Sequence, residues 1–279
     1  GTDLIIGARS GDIQLLLYTV FRQGLPIANM SWKSINDIRA FKEVAWLIPI
    51  SLGDSHRGYP VLGTTTDYFD HYKYGKKQAL KLRTGQVFKA PFDVVLGSTV
   101  AKELNYKLND TIYLSHGIAK GSLPLHRNHS FKVVGILNPT GTPVDKTVHV
   151  PLEGMSALHI NNLTSDSKLD SFDLTPNSVT SCLIGLKSKL SLFHVQQRII
   201  KWEHEPLMAI IPGVTLSRLW SNIRTIDTSF FLITILVTLI TFIGLLLALF
   251  MSLNQRKREL AILRTMGARP MHLAYILIL

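Results

Sequence analysis

Short apolar runs alternate with helix-like spacings along most of this chain, and then one pattern takes over. Residues 3–8, 43–52, 60–66, 92–96, 111–115, 131–137, 147–150, 179–186 and 207–211 are compact and rich in Val, Ile and Leu, which predicts strands. Between them, residues 12–21 place Ile13, Leu16, Leu17 and Val20 on one side of a helix. Ser31 is placed to cap a second helix through Phe41, with Ser34 and Asp37 resembling a capping pair. Further helices are expected over 98–104 and 190–202, and a turn over 53–58. The polar stretch 161–177 is the expected internal boundary. The reading for residues 1–213 is a mixed α/β (α+β) domain with a β-rich middle.

From Val214 the helical spacing does not stop. Leu216, Leu219, Trp220 and Ile223 recur at three- and four-residue intervals and lead into residues 228–255, which hold no charged side chain over 28 positions. About 20 apolar residues cross a bilayer core of roughly 30 Å. A helix apolar on every face needs lipid, or a large core, around it. Residues 214–254 as one helix measure about 60 Å, so a stalk preceding a membrane span is expected, with Phe230, Leu236, Ile240, Gly244 and Phe250 inside the span. A hinge at 225–228 would reduce the same segment to an anchor.

Charge then orients the span. Arg256, Lys257, Arg258, Arg264 and Arg269 follow it against one acid, Glu259, and an excess of basic residues beside a span marks the cytoplasmic side. Residues 1–213 are therefore expected outside the cytoplasm, beyond the inner (plasma) membrane. An earlier span before Gly1 is expected, and residues 271–279 read as the start of a next one. The whole chain carries a formal +11. A second basic concentration, Lys73, Lys76, Lys77, Lys81, Arg83 and Lys89, has no acid between His71 and Lys89. It reads as a solvated helix face, or as a lip for anionic head groups or an acidic partner. The lone Cys182 excludes an intramolecular disulfide and sits in an expected strand as a buried, inert thiol.

Enzyme chemistry finds little support. No Gly-x4-Gly-Lys-Ser/Thr or Gly-x-Ser-x-Gly motif is present, so no catalytic or cofactor-binding residue is expected. His126 and His129 are close in sequence, but His149, His159, His194 and His204 are scattered, and no metal site is expected. Basic residues without interleaved aromatics do not make a nucleic-acid module.

The segment Gln255-Arg256-Lys257-Arg258-Glu259-Leu260-Ala261-Ile262-Leu263-Arg264-Thr265-Met266-Gly267-Ala268 resembles the signature loop of FtsX/MacB-type ABC transporter permeases. Upstream, Gly85-Gln86-Val87-Phe88, the run from Val94 to Leu104, Asn109-Asp110-Thr111-Ile112 and the run from Phe131 to Leu137 resemble the MacB-like periplasmic core domain in the same order. Gln86 and Asn109 depart from the family's common Arg and Gly. The resemblance implies a permease without its own ATPase, a separate ATP-binding subunit that uses the ATP, a second copy (or related permease) as dimer partner, and lipid around the span. It also implies that residues 255–270 form a cytoplasmic coupling loop, with Arg256, Lys257, Arg258, Glu259, Leu263, Arg264, Gly267 and Ala268 meeting the ATP-binding subunit. Within that loop a short helix, residues 259–266, is expected to present Leu260, Leu263 and Met266 on one face and to end at Gly267. Two functions follow from the family: export or extraction of a hydrophobic, amphipathic or lipoprotein substrate, or regulation of an extracytoplasmic partner without transport.

Overall fold

The computed structural model describes residues 1–116, 125–158, 173–267 and 271. The chain divides into two compact units, Gly1–Arg218 and Leu219–Leu279.

In the first unit the chain opens with strand β1 (Leu4–Ala8), buried at every position, and turns into helix α1 (Asp12–Leu16). The helix continues as a π turn, Leu17–Phe21, closed by Arg22 in the left-handed region at φ 59°. The pair β2 (Met30–Ser31) leads to α2 (Trp32–Arg39), where the Ser31 hydroxyl accepts the Ser34 amide as expected. The reciprocal partner is not Asp37. Glu205 reaches in from elsewhere in the chain to accept the Ser31 amide and hydroxyl, at 3.1 and 2.9 Å. Strand β3 (Val44–Ile50) completes this opening part.

The middle segment builds a sheet of its own. It contains β4 (Asp54–His56), β5 (Tyr59–Thr64), α3 (Asp67–His71), the hairpin β6 (Lys73–Tyr74) and β7 (Gln78–Ala79), and β8 (Leu82–Gly85). It continues through β9 (Asp93–Leu96), α4 (Ser98–Glu103), β10 (Thr111–His116), β11 (Leu125–Leu137), β12 (Val148–Pro151) and α5 (Leu152–Leu158). Two expectations change here. Part of the turn expected over 53–58 is strand β4, whose three residues are buried. The basic stretch expected as a helix face is a hairpin followed by a strand, because Gly75 and Lys77 adopt positive φ and reverse the chain. Gly85, at φ 79°, lies so close to β11 that a Cβ would strike the Val134 carbonyl oxygen.

The chain then returns through β13 (Ser178–Val179), β14 (Ser181–Leu186), α6 (Leu192–Ile200), β15 (Leu207–Ile210) and the long α7 (Pro212–Thr265). Strands β15-β1-β14-β3 form a four-stranded antiparallel sheet, and β10-β4-β5-β12-β9-β11-β8 form a seven-stranded mixed one. The middle segment is thus an insertion between β3 and β14, which pair directly with Ile50 opposite Ser181. One core lies on the four-stranded sheet, joining Leu4 and Ile6 to Ile35, Ile38, Val195 and Ile199 from α2 and α6. A second joins Ile5, Ile48 and Ile50 to Tyr68, Phe69 and Val95 of the insertion. A third fills the seven-stranded sheet around Phe131. Cys182 sits fully buried in β14, 3.9 Å from the Met30 sulfur, and burial pushes its thiol up, as an inert thiol requires.

Candidate membrane and coupling segment

Helix α7 starts on the first unit. Pro212 opens it, which suits a first turn whose amides have no partner, and the Val214 and Thr215 amides donate to the Ile211 carbonyl. Thr215 is buried and Leu216 packs into the second core. Arg218 donates to the Asp12 carboxylate at 3.0 Å, an exposed pair of modest strength. The sequence reading missed Thr215 and Asp12. The apolar spacing at Leu216 pointed to this anchor, whereas nothing local to Asp12 did.

From Trp220 onward every described side chain of the helix is exposed except Leu263, which is half-exposed. The segment Pro212–Lys257 is long and apolar enough to cross a membrane. Phe230, Leu236, Ile240 and Phe250 all point outward, and Gly244 meets no neighbour within 4 Å. Hydroxyls on such a helix would be costly in hydrocarbon if left without partners. Here six of them are satisfied internally. Thr234, Thr238 and Thr241 donate to the carbonyls of Phe230, Thr234 and Val237 at 2.8 Å, and Thr225, Thr228 and Ser229 do the same near the start at 3.0–3.1 Å. No hinge interrupts residues 225–228.

The expected loop after Asn254 is not a separate element. The helix runs on through Arg256, Lys257, Arg258, Glu259, Leu263 and Arg264 to Thr265, giving 54 residues and about 81 Å. Arg, Lys, Glu, Leu and Ala are strong helix formers, and nothing in the basic stretch breaks the ladder. The stop comes where the sequence placed it: Gly267 closes the helix at φ 89°, its amide donating to the Arg264 carbonyl at 3.1 Å. Arg256, Lys257 and Arg264 are exposed and Met266 is 79% exposed. The side chains of Arg258, Glu259 and Leu260 fall outside the described residues, as do Ala268, Arg269 and residues 272–279.

Three of the shifted ionisable groups, His149, His56 and Tyr68, are buried in the first unit. Burial pushes the His149 imidazole down to about 3; Arg22 adds to this, and a 3.3 Å contact with the Val95 carbonyl opposes it. Burial also lowers His56, whose Nδ1 lies 2.7 Å from the Tyr113 carbonyl, and raises Tyr68, whose hydroxyl accepts from Arg22 at 3.3 Å. Each shift favours the neutral form, as buried packing requires. The side chains of His126, His129 and His159 fall outside the described residues.

The family profile of the MacB-like periplasmic core domain matches residues 6–201, and that of the FtsX-like permease C-terminal domain matches residues 231–279. No curated protein matches the chain. The chain is similar to the periplasmic region of MacB from Actinobacillus actinomycetemcomitans, at 12% identity and a TM-score of 0.49, over 78% of this chain and 92% of that one. It is also similar to the extracellular domain of the noncanonic ABC-type transporter YknZ from Gram-positive bacteria, at 12% identity and a TM-score of 0.46, over 75% of this chain and 100% of that one.

Proposed function

This chain belongs to the FtsX/MacB-type family of ABC transporter permeases, and on that premise we propose that it couples ATP hydrolysis in a separate ATP-binding subunit to movement of its own outer domain. Family membership makes it a membrane subunit of an ABC system with an extracytoplasmic N-terminal domain and an ATP-binding partner. In the proposed cycle, Arg256, Lys257, Arg258, Glu259, Leu263, Arg264, Gly267 and Ala268 meet that partner on the cytoplasmic side. The displaced helix end then moves the domain formed by residues 1–213. The work done there is export or extraction of a hydrophobic or amphipathic substrate, by a pair of permease subunits embedded in lipid.

The observation that carries this reading is the continuity of α7. Its backbone ladder runs without a break from Pro212, beside the core, to Thr265, within the basic segment. A helix transmits displacement along its axis because each turn is locked to the next by hydrogen bonds. The test is Ser229→Pro, which removes one ladder bond and clashes with the preceding turn at a cost of about 3 kcal/mol. The variant is expected to insert, since residues 230–250 still suffice for a span, and to co-purify with the ATP-binding subunit. Transport and permease-dependent stimulation of ATP hydrolysis are expected to fall together. Unchanged transport and stimulation in Ser229→Pro would make α7 a tether, and the outer domain a docking platform for regulation.

A further inference from the structure

Lys76, Lys77, Lys81, Arg83 and Lys89 are exposed, and among the described residues none of them forms an ion pair. Lys73 spends its ammonium on the Asp70 carbonyl at 2.9 Å. The acids close to this stretch in sequence are engaged elsewhere. Asp93 accepts the Lys89 and Ala90 amides at 2.8 and 2.9 Å, and Asp67 accepts the Thr65 hydroxyl. The stretch is nevertheless held in place, because Leu80 and Phe88 are buried in the second core and Tyr74 packs against it. Cations carried on an anchored scaffold lose little conformational freedom when they bind.

The backbone beneath these charges is also available. Strand β8 is the outer strand of the seven-stranded sheet, and among the described residues it pairs only with β11. The register steps from Thr84 opposite Ile136 to Leu82 opposite Leu137, which leaves Arg83 as an extra, bulged residue. A bulge and like charges repel a second copy of the same edge. They do not repel a strand of opposite charge, and a polypeptide backbone matches an open strand edge as a lipid head group does not. We infer that the β6–β7 hairpin and the β8 edge form a docking surface for an acidic, extended segment of another extracytoplasmic protein. Its carboxylates would meet Lys76, Lys77, Lys81, Arg83 and Lys89. The inference stands apart from the coupling role of α7 and survives its failure.

The test uses the full chain in zwitterionic nanodiscs and a fluorescent decapeptide of alternating Glu and Thr. The patch variant Lys76→Glu/Lys77→Glu/Arg83→Glu is compared with Lys33→Glu/Lys189→Glu/Lys201→Glu, an equal charge change at other exposed sites. Thermal unfolding of both is measured first, and if the patch variant unfolds early, Lys76→Gln/Lys77→Gln/Arg83→Gln is compared with Lys33→Gln/Lys189→Gln/Lys201→Gln instead. Peptide affinity is expected to drop at least about tenfold in the patch variant and less than about twofold in the control, with the drop diminishing as salt rises. Equal losses in the two variants would reduce the effect to net charge and overturn the inference, as would no loss in either. Patch-dependent flotation with anionic vesicles, without patch-dependent peptide binding, would assign the surface to lipid and overturn it too.

Discussion

Ile5 and Ile6 of β1 are fully buried, whereas Leu236 and Ile240 of α7, equally apolar, keep 61% and 59% of their surface exposed. The first pair sits on opposite faces of a strand, and each residue enters a different core, so both faces of the sheet are covered. The second pair belongs to a helix with apolar side chains all round, left exposed by the described residues of the chain. In the first unit burial comes from long-range pairing; in the second no described residue of the chain supplies it. The same residue types therefore carry opposite consequences for substitution, and glycine shows this most sharply. Gly85→Val forces a branched side chain to φ 79° and into the Val134 carbonyl, which should cost about 3–5 kcal/mol and abolish the cooperative unfolding transition of the first unit. Gly244→Val, in open space, should leave that transition and membrane insertion unchanged. Loss of assembly in Gly244→Val would instead place another helix against that face.

A charge sharpens the contrast from the other side. Ile240→Arg should disfavour insertion by about 3 kcal/mol, read as protein lost from the membrane fraction, with the unfolding temperature of the first unit unaltered. Normal insertion would break the comparison, because it would mean that water or protein, not lipid, faces Ile240. A further effect, one of pH, is confined to the buried unit. His149 is neutral in the fold down to about pH 3, while in the unfolded chain it takes a proton below its ordinary 6.5. The unfolded state thus binds more protons as pH falls, and stability should decline through this window by about 1.4 kcal/mol per pH unit. Above pH 6.5 the contribution is flat. Denaturant unfolding at stepped pH should show the decline, and His149→Gln should flatten it, leaving the part due to His56.

What was legible in the chain and what was not divides along a similar line. Strands β1, β9 and β14, the Ser31 cap and the Gly267 stop are local events, set by neighbouring residues, and they lie close to where the apolar pattern and the capping signals put them. Glu205 as the second partner of Ser31 was not legible, because 174 residues separate the two. Strand β4 was hidden because Asp54-Ser55-His56 has turn chemistry and becomes strand only through β5 and β10 on either side. The edge at β8 was misread as a helix face because lysine tolerates both and only Gly75 and Lys77 decide the reversal. In the candidate site, the apolar run and the basic end were plain from composition. The run of helix on to Thr265 was not, since a break in a helix is easier to assume from a change of charge than from the residues that make it.

The insertion between β3 and β14 has an evolutionary consequence. Ile50, where the chain leaves the four-stranded sheet, lies opposite Ser181, where it returns. A module whose entrance and exit are neighbours can be lengthened or recharged on its exposed edges, provided that Tyr68, Phe69 and Val95, which share the second core with Leu216, are kept. The edge bearing Arg83 lies wholly on that module, while Thr215, Leu216 and Asp12 lie wholly off it. Charge on the β8 edge can therefore change without altering Thr215 or Asp12, and chimeras cut at these two crossings that keep the second-core residues test this.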